Sequence, residues 1–402
     1  MKRKYIIEII MFLSYVLFAM AWSGGTAFMK EIMTSMGITS LASASLISTS
    51  VTFAKIVGTA IAAWTMVKLN IRNAFSIASL MICASILTPY SPNYPILLAS
   101  RFLMGLGGAL MVVYFNPIVI EWFEPHERPL VNGLNAVAFN VGTAIIMFFF
   151  SDFEALLGGW KQTLTVFSLL SGLMFLLWLV FGSSQKADTV TQNTKPVTAN
   201  YRFIDGLKDP FNWKFSLTYA GLLSFYIVLF TFYPRAGISQ AKIVILMGIV
   251  GAVLGIIYSK KIKKRVPIIR ISGLIQLLCV VGLNFSGNNA TLATISASIL
   301  GIFMFLPMTA LITLAHEMPG MTPQRASVTF SLFWSISYIS ATIVPTIFGA
   351  IVDANHGSFS MAFVFITCVA ASFFIGSFTL PEPSQLKEQQ TTISRQSSSQ
   401  TA

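Results

Sequence analysis

Pro95 to Val119 reads PILLASRFLMGLGGALMVVYFNPIV, a run in which Arg101 is the single charged residue. A membrane-spanning helix needs about 20 mostly apolar residues at 1.5 Å rise each, so this stretch has the length and polarity of one span. Short polar connections bound it, and the same pattern recurs on both sides. Hydropathy, with Gly, Pro and charge as punctuation, places six spans near 6–28, 43–66, 74–91, 95–119, 130–150 and 162–182. Six more fall near 215–234, 241–258, 267–286, 290–314, 326–351 and 359–380. The expected fold is an all-α membrane protein of twelve transmembrane helices in two six-helix halves, residues 1–182 and 215–380. Residues 183–214 are rich in Ser, Thr, Asn, Lys and Asp and read as a cytoplasmic linker, and the polar tail 381–402 reads as disordered.

Composition supports this placement. Hydrophobic residues make up 55% of the 402 positions and charged residues 10%, far from the balance of a soluble chain. The net charge of +12 does not indicate nucleic acid, because no basic stretch is interleaved with aromatics on a soluble face. It is a topology signal. Of the 26 Lys and Arg, 20 fall in segments that an even number of spans puts on one side, against Lys30, Lys161, Arg235 and Lys242 on the other. By the positive-inside rule both termini face the cytoplasm, with the chain in the cell's inner membrane and the basic loops facing anionic lipid. Lys2, Arg3 and Lys4 before an apolar run imitate a signal peptide, but the many later spans favour an uncleaved first helix. Cys83, Cys279 and Cys368 sit in apolar runs without metal or redox spacing and read as packing thiols.

The halves echo each other. After the fourth span comes EWFEPHERPLVNG and after the tenth HEMPGMTPQRASV, with Arg128 and Arg325 each just before the next span; VKLNIRN follows the second span and SKKIKKR the eighth. Internal repetition of this kind places a transporter's site near the midplane at the repeat interface. At RFLMGLGGAL (101–110), at the PHER segment ending in Arg128 and at GGWKQTLTVF before the sixth span, the sequence resembles the major facilitator superfamily from about Ile6 to Leu380. The resemblance implies secondary transport by alternating access, with Arg101 in coupling or in bracing neighbouring helices. One departure concerns the loop after the second span, where the family's Asp is absent and Asn70 stands where Gly is expected. Within the superfamily, RASVTFSLFWSISYISATIVPTIFGAIVD resembles the cyanate and nitroimidazole permease group. The fifth-helix Gly-Pro signature of drug/proton antiporters is missing from NGLNAVAFNVGTAII.

Lys55 is the most informative position, since it lies in the middle of an otherwise apolar span. A Lys there costs roughly 2.5 to 3.5 kcal/mol on insertion scales and is too central to snorkel, so it must meet water, an anion or a partner. One reading is a ligand for an anion or carboxylate; the other is a Lys satisfied by carbonyls or by hydroxyls such as Ser48 and Thr52, or one whose pKa has fallen until it is neutral. Arg101, Gly105, Gly108, Val112 and Asn116 share one side of the fourth span, where small residues suggest close packing around a bracing Arg and Asn116 is a candidate ligand. Tyr15 and Trp22 are seven apart on the first span, as are Tyr219, Tyr226 and Tyr233 on the seventh, so each set shares a face that could grip an organic anion or simply pack.

Carboxylates are what the span centres lack, and Glu8 lies near the inner surface, which weakens cation efflux. No Gly-rich run ends in Gly-Lys-Ser/Thr, and the three His lie in loops away from a second ligand, so neither ATP drive, a metal, a cofactor nor an enzyme is expected. The expectation is therefore a secondary carrier of a small organic or inorganic anion, with a coupling proton or ion as a further partner. Efflux of an amphipathic drug or metabolite is the first rival, and a non-transporting membrane sensor is the rival from another class.

Overall fold

The computed structural model describes residues 3–124, 126–182, 201, 203–262, 264–287 and 289–386. Among them every regular element is helical, as lipid requires of long apolar runs whose amides must be satisfied within their own segment. In chain order they are α1 (Arg3–Ala27), α2 (Met29–Met36), α3 (Leu41–Cys83), a 3-10 turn (Ala84–Tyr90), α4 (Tyr94–Trp122), α5 (Arg128–Leu157) and α6 (Trp160–Phe181). There follow α7 (Phe203–Lys208), α8 (Pro210–Phe232), α9 (Ala241–Lys261), α10 (Val266–Asn284), α11 (Ala290–Glu317), α12 (Pro323–Ala354) and α13 (Ser360–Ser377). Among the described residues twelve segments are long and apolar enough to cross a membrane.

Local chemistry sets the ends. Ser40 opens α3 by accepting from the Ser43 amide at 3.2 Å, and Asn93 and Asn289 do the same for α4 and α11 at 3.0 Å each. The fifth span runs to Leu157, past the expected end at 150, because FFFSDFEALL stays helical until Gly158 terminates it at φ 86°. Spans two and three are separate, as expected, and within α3 they meet at a kink at Asn70, which has φ 56° and ψ 162°. That conformation explains why Gly would be natural there. Asn70 nevertheless contributes a cap, its Oδ1 accepting from the Asn73 amide at 3.1 Å.

Helix α7 falls inside the stretch expected as linker; most of that linker (183–200 and 202) and the tail from 387 lie outside the described residues. The start of the tail is anchored, since Glu382 accepts from the backbone amides of Arg265 and Val266 and so caps α10.

Contacts divide the chain into two compact units, drawn differently from the two expected halves. The first comprises residues 1–198, 223–246 and 338–366. Within it α3 lies along α4, and α1 along α5 and α6. Gly105 permits the first contact, as a Cβ there would meet Val51 Cα at 2.8 Å. Asp353 closes this unit at the start of α3, accepting from Ser40 Oγ at 2.7 Å and from the Leu41 and Ala42 amides at 2.8 and 2.9 Å. An anion at a helix N-terminus satisfies orphan amides and complements the dipole.

The second unit comprises residues 199–222, 247–337 and 367–402. Here Gly251 and Gly255 let α9 rest on the backbone of Ile302 and Leu306 in α11, and Gln276 in α10 donates to the Phe303 carbonyl at 2.6 Å. Arg265 is set apart from its lysine neighbours in SKKIKKR. It is buried and forks onto Glu317, with Nη2 to Oε1 at 2.8 Å and Nε to Oε2 at 3.0 Å, so this charge belongs to a fixed ion pair.

Candidate functional site

The site begins on α1. Tyr15, Phe18 and Trp22 follow one another at spacings of three and four, so they form one aromatic edge along a single face. Gly108 on α4 leaves the space that the Phe18 ring fills, because a Cβ at that glycine would collide with the ring. Phe139 on α5 completes the cluster, lying 5.2 Å from Trp22 and 6.4 Å from Phe18 between centroids. Within the same unit, Tyr226 and Phe230 on α8 extend it, with Phe230 meeting Trp22 edge-on at 5.6 Å.

Lys55 enters this cluster from α3. Its side chain is buried, with the residue 4% exposed, and its Nζ lies 4.8 Å from the ring centroid of Trp22, 5.3 Å from those of Phe139 and Tyr338, and 5.4 Å from that of Phe18. The recorded hydrogen bond is a long one, to Tyr338 Oη at 3.5 Å. Among the described residues no ion pair is recorded for it. The hydroxyls that sequence reasoning offered as partners are engaged elsewhere. Ser48 Oγ accepts from Trp22 Nε1 at 3.0 Å and from Thr231 at 3.3 Å, and Thr52 bonds Thr49 and Thr342. Each ring face stabilises a cation by roughly 0.5 to 2 kcal/mol through its quadrupole. Quadrupoles do not cancel net charge, so a protonated Lys55 here lacks a countercharge and has donors to spare.

Arg101 is 1% exposed and commits its whole fork to backbone: Nε donates to the Ile47 carbonyl at 3.0 Å, Nη1 to that of Ala21 at 2.7 Å and Nη2 to that of Trp22 at 2.8 Å. It ties α4 to α3 and α1 immediately beside the aromatic edge. Gly25 makes room for it, since a Cβ there would lie 2.6 Å from Nη1. Arg128 closes the far end of α4 by donating to the carbonyls of Phe123 at 2.9 Å and Ile120 at 3.0 Å. Arg325, its counterpart in the sequence echo, has a different job in the second unit. It donates to Asp209 at 2.9 Å and to the Pro319 carbonyl at 3.2 Å. Near Arg128, Glu127 pairs with Lys4 at 2.6 Å, and that hydrogen bond holds the Glu127 carboxyl below its ordinary range.

Of the candidate ligands, Lys55, Trp22, Tyr15 and Tyr226 therefore belong to one cluster, with Tyr226 Oη donating to Asn140 Oδ1 at 2.8 Å. Asn116 is exposed on α4, and no contact of its side chain with this cluster is recorded among the described residues, while its neighbour Phe115 packs onto Tyr15 at 5.3 Å. Tyr219 lies in the second unit, stacked on Phe333 at 4.9 Å and edge-on to Trp334. Sequence reasoning missed Phe18, Phe139 and Tyr338. Phe18 was readable from its place between Tyr15 and Trp22 on one face, whereas Phe139 and Tyr338 approach Lys55 only through tertiary packing.

A sequence model of the Major Facilitator Superfamily matches residues 11–345. An uncharacterized protein of Campylobacter jejuni is 26% identical over 233 residues, 58% of this chain and 70% of that protein. The lysosomal dipeptide transporter MFSD1 of Homo sapiens is 24% identical over 302 residues, 68% of this chain and 62% of that protein. Among solved structures, the inward-open xylose transporter XylE of E. coli superimposes with a TM-score of 0.74 at 14% identity, covering 94% of this chain and 97% of its own. A bacterial homolog of the human lysosomal transporter Spinster does so with a TM-score of 0.73 at 16% identity, covering 94% and 98%.

Proposed function

This chain belongs to the Major Facilitator Superfamily and is a secondary transporter working by alternating access, and from that premise we propose that its solute is a small anion held by Lys55. The observation that carries the reading is a buried ammonium surrounded by four aromatic rings, with no ion pair recorded for it among the described residues. A carboxylate or inorganic anion supplies the missing countercharge, and the aromatic edge of Tyr15, Phe18 and Trp22 accommodates an apolar body attached to it. MFSD1 is described as a dipeptide transporter, and a dipeptide carries such a carboxylate. The likeness to cyanate and nitroimidazole permeases joins the proposal, since cyanate is a small anion. So do placement in the cell's inner membrane with both termini cytoplasmic, and the two six-helix halves as the moving parts.

The test is flux into proteoliposomes containing the full chain. Labelled nitrate, cyanate, a short dicarboxylate and an acidic dipeptide are compared with ethidium as a cationic amphiphile. The proposal expects saturable uptake of at least one anion and none of ethidium. Transport of ethidium alone supports the drug-efflux rival, and no transport of any probe supports a sensor; either result overturns the anion reading.

A further inference from the structure

Glu8 is a second buried ionisable group in the first unit, and the anion site does not use it. It sits on α1 with 7% exposure, facing Asn135 of α5, itself 6% exposed. One bond joins them, from Asn135 Nδ2 to Glu8 Oε2 at 3.4 Å. The second oxygen of Glu8, Oε1, and the amide oxygen of Asn135, Oδ1, are buried without a partner. Read as an ionised carboxylate, this arrangement buries an anion against an unpaired carbonyl oxygen, with one long hydrogen bond to offset its desolvation. Buried polar atoms are hydrogen-bonded in the great majority of cases, and a buried charge without compensation is costly.

We propose that Glu8 and Asn135 form a proton-binding site, in which one proton on Oε1 converts the carboxylate into a donor to Asn135 Oδ1. The acid and the amide then exchange two hydrogen bonds, Nδ2–H to Oε2 and Oε1–H to Oδ1, and a single proton satisfies both orphan atoms. The charges on neighbouring elements are committed elsewhere. Arg3 donates to the Phe181 carbonyl and Lys4 to Glu127; Arg72 on α3 donates to Leu179, and Arg128 on α5 to Phe123 and Ile120. Glu121 on α4 has an interaction of its own. Lys55 and Arg101 meet α1 at Phe18, Trp22 and Ala21, ten or more residues along, or about 15 Å and beyond at 1.5 Å per residue. Among the described residues no cation is recorded in contact with Glu8. Its purpose rests on the transporter reading. A carboxyl that is neutral while buried and ionises once water reaches α1 lets a proton gradient bias the carrier's cycle.

The proton is read without any transported solute. Infrared spectra of the full chain in lipid nanodiscs at pH 7 should contain the C=O band of a protonated carboxylic acid that shifts in D2O and is lost in Glu8→Gln. The same variant gives a second readout. Gln at this position keeps a donor where the proton sat, so Glu8→Gln should melt at or above wild type at pH 7, and the gap should widen towards pH 9 as wild type loses its proton. An identical band in wild type and Glu8→Gln, or a Glu8→Gln protein that unfolds or melts well below wild type at pH 7, overturns the proposal. Failure of every anion in the flux assay would leave the infrared result standing, so the two readings fail separately.

Discussion

Lys55 and Arg101 are both basic residues buried in apolar spans, yet their surroundings differ. Arg101 places its fork on three carbonyls of two neighbouring helices, while the Lys55 ammonium meets ring faces and one distant hydroxyl. Lys cannot reproduce the Arg fork, and each buried carbonyl left unpaired costs about 1 to 3 kcal/mol. Arg101→Lys should therefore destabilise the folded protein by at least about 2 kcal/mol on that scale, read as a lower melting temperature in detergent. An unchanged melting temperature would mean that the three bonds brace nothing. The shared face of Tyr15 and Trp22 was legible from their spacing of seven. The packing of Phe115 onto Tyr15 was not, because it depends on how α4 meets α1 in three dimensions.

At the scale of elements, the spans were legible because lipid admits little besides long apolar helices. Their joints were not. The break in α3 depends on Asn70 adopting backbone angles that are nearly exclusive to Gly, at a cost on the order of 1 to 3 kcal/mol. Asn70→Gly keeps the geometry and forfeits a cap worth only a few tenths of a kcal/mol over Gly, whereas Ala forfeits the cap and retains the strain. Melting temperatures should run Gly at or above Asn, with Ala lowest, and an Ala variant as stable as Gly would remove the strain argument. The Lys4–Glu127 bond joins α1 to the start of α5 and makes a pH-dependent contribution. The folded carboxyl titrates below the ordinary glutamate value of 4.5, so the stabilisation is present above that value and lost as pH falls through the folded one. The gap in melting temperature between wild type and Lys4→Gln should be open at pH 7 and narrow as pH falls below 4.5, and a gap that does not change in acid would contradict this.

For the whole molecule, the charge tally orients the chain by a mechanism separate from packing. With Cys83, Cys279 and Cys368 replaced, a single Cys at Thr194 should resist an impermeant thiol reagent added outside intact cells and react once the cells are opened. Labelling from outside would invert the topology. The superfamily fold was legible from twelve spans, their internal echo and the RFLMGLGGAL run together. The solute was not. Lys55 stands out in its apolar span from sequence alone, but Phe139 and Tyr338, which complete the rings around it, come from spans distant in the chain.

The central claim is that the Lys55 charge is available to an anion. It is tested most directly by calorimetric affinity of folded, monodisperse Lys55→Gln beside wild type, using the anion that gives saturable flux. A charge-assisted hydrogen bond is worth roughly 1.5 to 3 kcal/mol, so affinity should fall about 10- to 150-fold, with Lys55→Arg retaining part of it at best. Unchanged affinity in Lys55→Gln would contradict the account.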